Sequence, residues 1–167
     1  IDIGDKTPKA FNYYRRPDNV IVGMWKHQIS ALSSDNGNSW TDLALSKSLS
    51  TCGAKIWGQQ TENNKYAIVY NHSATKRNRY PLVVMTSIDG HKFDNMLCVH
   101  GEVPPVRYYG FAKNPGPAYI RGIYKGNGNP PDNKMWLTYS MSKEDLWVTN
   151  VSIPIMGTVD NHVNQNF

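Results

Sequence analysis

The chain alternates short apolar runs with polar turns, and its longest apolar stretches have the length of strands. The segments "QISALSSD" at residues 28–35 and "PLVVMTSID" at 81–89 place β-branched and other apolar residues at alternate positions or in short continuous runs. This spacing is typical of strands with one or both faces buried. The pattern therefore predicts an all-β, antiparallel fold.

The predicted strands recur as a unit of about four. First strands are predicted at residues 10–16, 54–60 and 118–124, and second strands follow at residues 20–26, 66–72 and 135–141. Units of four strands that repeat every 40–60 residues or so are typical of β-propeller blades. Three units cannot close a ring, and the third lacks an obvious fourth strand, so we expect part of a larger propeller. The predicted division is blades at 8–50, 51–100 and 115–155 and a C-terminal tail at 156–167.

A short motif occurs after the third strand of each of the first two units. "SSDNGNSW" at residues 33–40 is repeated, with one residue deleted, as "SIDGHKF" at 87–93. Glycine permits the positive φ of a tight turn, and an aspartate accepts hydrogen bonds from the backbone of its own turn. We therefore expect a structural hairpin turn that takes no part in chemistry. The positions that recur in both copies are Ser33, Asp35, Gly37 and Trp40 in the first and Ser87, Asp89, Gly90 and Phe93 in the second.

These residues resemble a known family. Ser-x-Asp-x-Gly-x-Ser-Trp at 33–40 is similar to the Asp box of sialidases and of sialidase-like (BNR-repeat) propellers, and "VHGEVPP" at 99–105 and the segment at 136–155 resemble C-terminal segments of secreted bacterial members. The resemblance covers roughly residues 20–155. It implies a six- or seven-bladed propeller whose Asp boxes lie opposite the active site, and a location that is secreted, periplasmic or on the cell surface.

The order of strands then predicts which loops lie on the functional face. They are the connections between second and third strands and those between units, at residues 25–27, 47–53, 71–80, 100–117 and 140–145. The longest is a stretch without a strand pattern, and long loops of this kind are often functional. In it, Glu102 and Arg107 either form an ion pair that braces the loop, or Arg107 and Tyr108 face an acidic sugar.

Arginines are the first candidates for substrate binding. The arginine fork matches a carboxylate, and sialidases hold the substrate carboxylate with three arginines, so the resemblance implies that Arg79, Arg107 and Arg121 supply part of such a cluster. Arg121 aligns with Tyr13 and Trp57 on the first strands, where the alternative is a buried structural ion pair.

The resemblance also implies catalytic residues. A retaining sialidase uses a tyrosine nucleophile paired with a carboxylate and an acidic acid/base, for which Glu102, Tyr108 and Tyr139 are the candidates. His72 and His100 fall on the same predicted face as substrate-binding candidates. A His/Tyr/Arg set also fits a polysaccharide lyase or a glycosidase that cuts beside a uronic acid.

Composition narrows the choice of partner. The net charge of +5 agrees with an anionic binding partner. The Lys and Arg residues are not clustered into a run, so we do not expect this partner to be a nucleic acid. No apolar run approaches the roughly 18 residues of a membrane helix, so we expect no membrane span. No His or Cys spacing is typical of a metal site, and we expect no cofactor. The resemblance implies a carbohydrate-active hydrolase, similar to exo-sialidases, that cleaves a terminal sugar from an acidic or complex glycan. The alternatives are the lyase or glycosidase above and a propeller that binds glycans without chemistry. The expected partners are an acidic glycan and the remaining blades, supplied by upstream sequence.

Overall fold

Three antiparallel sheets and a short 3-10 helix at Lys26–Gln28 make up the regular structure of the described chain. The computed structural model describes residues 7–47, 49–51, 53–72, 78–123 and 132–156. Within these ranges the sheets contain four, four and three strands, each in the order in which the strands occur along the chain. The all-β fold class predicted from the alternating pattern is therefore confirmed.

The strand bounds follow the apolar segments of the sequence. Sheet 1 contains β1 (Asn12–Arg15), β2 (Ile21–Met24), β3 (Ile29–Ser33) and β4 (Ala44–Leu45). Sheet 2 contains β5 (Trp57–Gln60), β6 (Tyr66–Asn71), β7 (Leu82–Ser87) and β8 (Asp94–His100). Sheet 3 contains β9 (Pro117–Gly122), β10 (Lys134–Met141) and β11 (Asp145–Ser152). The residues at which one blade gives way to the next stay a prediction, and tail residues 157–167 lie outside the described ranges.

Sheet 2 lies between the other two sheets and is buried on both faces. Along β6, Tyr66, Ile68 and Tyr70 belong to a core shared with sheet 1. Ala67 and Val69, at the alternate positions, belong to a second core shared with sheet 3. Successive side chains of a strand point to opposite faces, so β6, which is buried at every position, separates two cores.

The first strands of the three sheets approach one another. The backbone N–H of Gly58 on β5 donates to the side-chain Oδ1 of Asn12 on β1 at 2.7 Å. On the other side of β5, a Cβ added to Gly122 on β9 would lie 2.1 Å from Nε1 of Trp57. β1, β5 and β9 are therefore the inner strands, and the absence of a side chain at Gly122 permits the close approach of β9 to β5.

Each sheet has two ends, which the connections distinguish. The β3–β4 and β7–β8 connections contain the repeated serine–aspartate motif, and we call this end the turn end. The opposite end, which we call the loop end, contains the connections after β2, β6 and β10 and the long segment at residues 101–116. No helix in the described ranges is long and apolar enough to cross a membrane.

Sheets 1 and 2 are joined at the turn end by a buried tyrosine. The hydroxyl of Tyr14 on β1 donates a 2.6 Å hydrogen bond to the carbonyl of Gly90, which lies in the β7–β8 connection. The ring of Phe93 packs edge-on against the Tyr14 ring at 6.1 Å between centroids. One side chain therefore fixes the inner strand of sheet 1 against a turn of sheet 2.

Replacing Tyr14 by phenylalanine should lower the free energy of unfolding by about 1–3 kcal/mol, because the Gly90 carbonyl would lose its donor inside the core. Urea denaturation measures the effect. Tyr109→Phe is the control, since the Tyr109 side chain is exposed and its hydroxyl makes no such bond. Equal stability of the two variants would show that the Tyr14 hydroxyl does not join the sheets.

Candidate functional site

The first serine–aspartate turn is closed by its own side chains. The Ser33 hydroxyl donates to Oδ1 of Asp35 at 2.8 Å and accepts the backbone N–H of Gly37 at 2.8 Å. Asp35 also accepts the backbone N–H and the hydroxyl of Ser39, at 2.9 and 2.6 Å. The Trp40 indole N–H donates to the Gly37 carbonyl at 3.1 Å, so the aromatic ring folds back over the turn. Gly37 has a φ of 88°, which suits glycine.

The second turn repeats this arrangement with different partners. The Ser87 hydroxyl donates to Oδ1 of Asp89 at 2.9 Å and accepts the Gly90 N–H at 2.9 Å. The same Asp89 oxygen accepts the backbone N–H groups of His91 and Lys92, at 2.8 and 3.1 Å. The serine and aspartate side chains of both turns form hydrogen bonds with each other and with groups of their own turn, which is the arrangement expected of a structural motif.

The hydrogen bonds lower the pKa values of both turn carboxyls. Bonds from the Ser39 hydroxyl and N–H hold the pKa of Asp35 at about 2, and the N–H groups of His91 and Lys92 hold the pKa of Asp89 at about 2. Both values lie below the ordinary value of 3.8. A carboxyl whose pKa is lower in the folded chain than in the unfolded chain stabilises the fold above its ordinary pKa. That contribution is lost as the pH falls from about 5 to about 2.

Asp35→Asn with Asp89→Asn should make stability less dependent on pH over this acid range. The expected result is a shallower fall of the urea midpoint between about pH 5 and pH 2.5, because the unfolded chain then takes up fewer extra protons. Asp42→Asn with Asp94→Asn is the charge-matched control, since neither of these carboxylates accepts a hydrogen bond in the described structure. An unchanged slope in the first variant would contradict the lowered pKa values.

At the loop end, one carboxylate holds the long segment in place. The Glu144 side chain is only 4% exposed and forms salt bridges with Arg107 and Lys113. Its oxygens also accept the backbone N–H groups of Arg107 and Tyr108, at 3.0 and 2.8 Å. Arg107 reaches Asp145 as well, at 2.7 Å. We call this set the Glu144 clasp. The Lys113 ammonium, the Tyr108 N–H and the Arg107 N–H and guanidinium hold the pKa of Glu144 at about 2.

The clasp corrects one sequence-based alternative. Arg107 forms ion pairs that brace the loop, as the first of the two interpretations predicts. Its partners, however, are Glu144 and Asp145. Glu102, the partner predicted from the sequence, is exposed and forms no ion pair with any residue that the structure describes. The guanidinium of Arg107 already forms ion pairs with two carboxylates. It therefore has fewer N–H donors left for a ligand than an unpaired arginine would have.

A second cluster lies beside the clasp and was not predicted. The Lys55 and Lys143 ammonium groups lie 5.4 and 5.8 Å from the centre of the Tyr119 ring. Burial lowers the pKa of Lys26, and the positive charges of Arg79 and Lys55 lower it further. We call Lys26, Lys55, Arg79, Lys143 and Tyr119 the cation cluster.

The cluster gathers positive charge from all three sheets. In the part of the chain that the structure describes, no carboxylate forms an ion pair with Lys26, Lys55 or Lys143. Tyr119 is a partly exposed residue of inner strand β9, while the lysines precede β5 or lie in the connections after β2 and β10. Three lysines without a carboxylate partner among the described residues create a local positive potential at the ends of the inner strands, which attracts anions.

The three candidate arginines have different surroundings. Arg79 lies in the cation cluster, and its backbone is fixed by hydrogen bonds with the Pro115 carbonyl and the Asn71 amide. Arg121 is exposed and lies 5.9 Å from the ring of Trp57, so it is not the buried ion-paired residue of the structural alternative. Arg107 belongs to the clasp.

Tyr139 is placed where a catalytic role does not fit. It is 2% exposed, it lies in the core between sheets 2 and 3, and burial raises the pKa of its hydroxyl. Its ring packs with those of His100 and Trp147, at 5.9 and 6.4 Å between centroids. A substrate cannot reach it without opening the core. The structure therefore contradicts the prediction of Tyr139 as nucleophile.

The histidines and the other catalytic candidates are at the loop end but are not gathered together. His100 packs in the aromatic group beside Tyr139, with its Nε2 buried and without a partner. His72 contacts the Tyr70 hydroxyl at 3.4 Å. Tyr108 is 67% exposed, with Arg107 and Lys113 5.8 and 5.6 Å from its ring centre. The roles proposed for these residues from the sequence stay predictions.

Comparison with known proteins gives two similar solved structures. A protein described as "Sialidase" is 40% identical over 91% of this chain, with a TM-score of 0.82. The intramolecular trans-sialidase from Ruminococcus gnavus, solved with oseltamivir carboxylate, is 12% identical over 94% of this chain, with a TM-score of 0.66. The chain spans 14% of the first protein and 35% of the second. No protein-family model and no curated protein match.

The two similarities differ in what they support. At 12% identity the trans-sialidase shows a shared fold, whereas the sialidase at 40% identity shares sequence as well over nearly the whole chain. Three successive antiparallel sheets with adjacent inner strands agree with both. This chain is sialidase-like in sequence and in structure, and its sheets are blades of a partial sialidase-like propeller.

Proposed function

We propose that the loop end of this chain forms part of the glycan site of a secreted or surface carbohydrate-active hydrolase that cleaves a terminal sugar from an acidic glycan. The observation that supports this most is the cation cluster, in which Lys26, Lys55 and Lys143 have no carboxylate partner among the described residues. Acidic sugars present a carboxylate, and lysine and arginine bind such groups through charge-assisted hydrogen bonds.

The two serine–aspartate turns support this orientation. We propose that they are Asp boxes with a structural role, because the hydrogen bonds of their serine and aspartate side chains stay within the turn itself. They lie at the turn end, and the cation cluster and the clasp lie at the loop end. An active site at the loop end is therefore separated from the Asp boxes by the length of the strands.

Further blades are the second proposed partner. Sheet 2 has both faces covered, but the outer face of sheet 1 exposes an aromatic group in which Phe11 packs against Tyr13, Trp25 and Trp40. Exposed apolar patches of this kind indicate a contact surface. Because the chain spans 14% of the similar sialidase, we propose that a neighbouring blade of a longer protein covers this face.

Binding without catalysis is the competing function, and one observation favours it. No hydroxyl of Tyr108, Tyr119 or Tyr139 contacts a carboxylate in the described structure, whereas a retaining sialidase needs such a pair. A longer protein with additional blades would have to provide it.

The experiment separates these possibilities. Binding is measured by titrating the chain with sialosides, uronate oligosaccharides and neutral glycans. Activity is measured by incubating the full-length protein that contains the chain with the same glycans. Binding of acidic glycans together with release of a free sugar supports the hydrolase. Release of an unsaturated uronate identifies a lyase, and binding without product identifies a binding protein. Equal binding of neutral and acidic glycans, or no binding, would overturn the proposed site.

A further inference from the structure

Three aromatic side chains project into solvent from one short stretch of the long loop. Tyr108 is 67% exposed, Tyr109 97%, and Phe111 is fully exposed. We call these three residues the aromatic tip. Single exposed apolar residues are ordinary, but adjacent aromatic rings exposed together on a surface indicate an interaction site.

The backbone that carries the aromatic tip is fixed. The Glu144 carboxylate accepts the Tyr108 N–H at 2.8 Å. It also binds the ammonium of Lys113, which in turn donates to the Tyr108 carbonyl at 2.6 Å. The Lys113 N–H donates back to the Gly110 carbonyl at 3.2 Å, which closes a turn across the tip. The rings are therefore presented by a braced turn, which lowers the entropic cost of binding.

The aromatic tip adjoins the cation cluster. The Lys143 ammonium, which lies over the Tyr119 ring at 5.8 Å, donates a hydrogen bond to the carbonyl of Ala112. Ala112 directly follows Phe111 in the chain. One side chain therefore connects the cationic surface with the loop that carries the exposed rings, and a ligand longer than one sugar can contact both.

We propose that the aromatic tip is a subsite for a neutral sugar ring that adjoins the acidic sugar held by the cation cluster. Pyranose rings have an apolar face of C–H groups, and aromatic side chains offer large apolar area with few rotatable bonds. The inference rests on the proposed function. It adds that the ligand is an acidic oligosaccharide, whose affinity depends on at least one neutral sugar beyond the charged one.

The test compares ligands of different length. The chain is titrated with N-acetylneuraminic acid and glucuronic acid as free sugars, and with the same acids linked to one, two or three neutral hexoses. We expect an oligosaccharide to bind roughly tenfold more tightly than its free acid, a gain in the range of one aromatic contact. Tyr109→Ala with Phe111→Ala should remove that gain and leave the affinity for the free acid unchanged.

Ile88→Ala is the matched control, because Ile88 is 79% exposed and lies at the turn end. It should keep the full gain with length. Because the substituted side chains are exposed, each variant should keep the melting temperature of the parent, which is measured alongside binding.

Each other outcome overturns the inference. Binding of the free acid without a gain on lengthening would leave the proposed function standing and remove the subsite. An equal loss for free acids and oligosaccharides in the tip variant would show that the tip is not a separate subsite. A parent chain that dimerises, with a monomeric tip variant, would assign the rings to a protein interface. No binding of any acidic sugar would overturn the proposed function and this inference together.

Discussion

Gly122→Ala should destabilise the chain by about 1–3 kcal/mol, the usual cost of forcing extra volume into a packed site. A Cβ at this position would lie 2.1 Å from Nε1 of Trp57 and 2.6 Å from Oε1 of Gln59. Those two atoms are hydrogen-bonded to each other at 2.7 Å, and Trp57 belongs to the core between sheets 2 and 3. The new methyl group can therefore be accommodated only by breaking this hydrogen bond and moving the two side chains, or by moving β9 away from β5.

Urea and thermal denaturation measure this effect, and the chain provides a matched control. Gly110 also lacks a positive φ, and a Cβ there would have no neighbour nearer than 3.7 Å. Gly110→Ala should leave the unfolding midpoint within error of the parent. If Gly122→Ala were equally harmless, the close approach of the inner strands would be wrong.

Lys55→Gln with Lys143→Gln should weaken the binding of an acidic glycan roughly tenfold for each ammonium group removed, since a hydrogen bond to a charged group contributes more than a neutral one. Both ammonium groups lie over the Tyr119 ring, so the variant removes the centre of the cation cluster, together with the Lys143 hydrogen bond to the Ala112 carbonyl. Titration at low and at high salt measures the loss, which should shrink as salt screens the remaining charges.

Lys65→Gln with Lys92→Gln changes the net charge equally but lies at the turn end, where both residues are exposed. This control should bind as the parent does. A similar loss in both variants would show that net charge attracts the glycan and that the cation cluster is not a site.

The fold could be predicted from the sequence because its signals are local. Alternation in β10 and continuous apolar runs in β6 mark strands whatever their neighbours are. The serine–aspartate turns could be predicted for the same reason, since Asp35 and Asp89 bind backbone groups within four residues of themselves.

The errors at the site have a different cause. Tyr139 was chosen for its position at the end of a strand, but Met135, Leu137 and Met141 share its parity along β10, and all of them are buried. The alternation itself therefore carried the signal that Tyr139 faces the core.

The cation cluster had almost no signal in the sequence. Lys26, Lys55 and Lys143 are far apart in the chain, each is surrounded by unrelated residues, and they meet only because three inner strands converge. Tyr119 was the exception. It has the same parity on β9 as Arg121 and the opposite parity to Ala118 and Ile120, which are buried.

The position of sheet 2 between two cores has a consequence for how the chain unfolds. Sheets 1 and 3 each bury an apolar face against sheet 2, through Ile68 on one side and Val69 on the other. Adjacent units that share an interface lose their stability together, in the manner of repeats coupled only to their nearest neighbours. A defect in β6 weakens both couplings at once, whereas a defect in β2 or β10 weakens one. The cooperativity of unfolding therefore depends on sheet 2. Substitutions that loosen this sheet should separate the unfolding of sheet 1 from that of sheet 3, whereas an intact sheet 2 makes the chain unfold in one step.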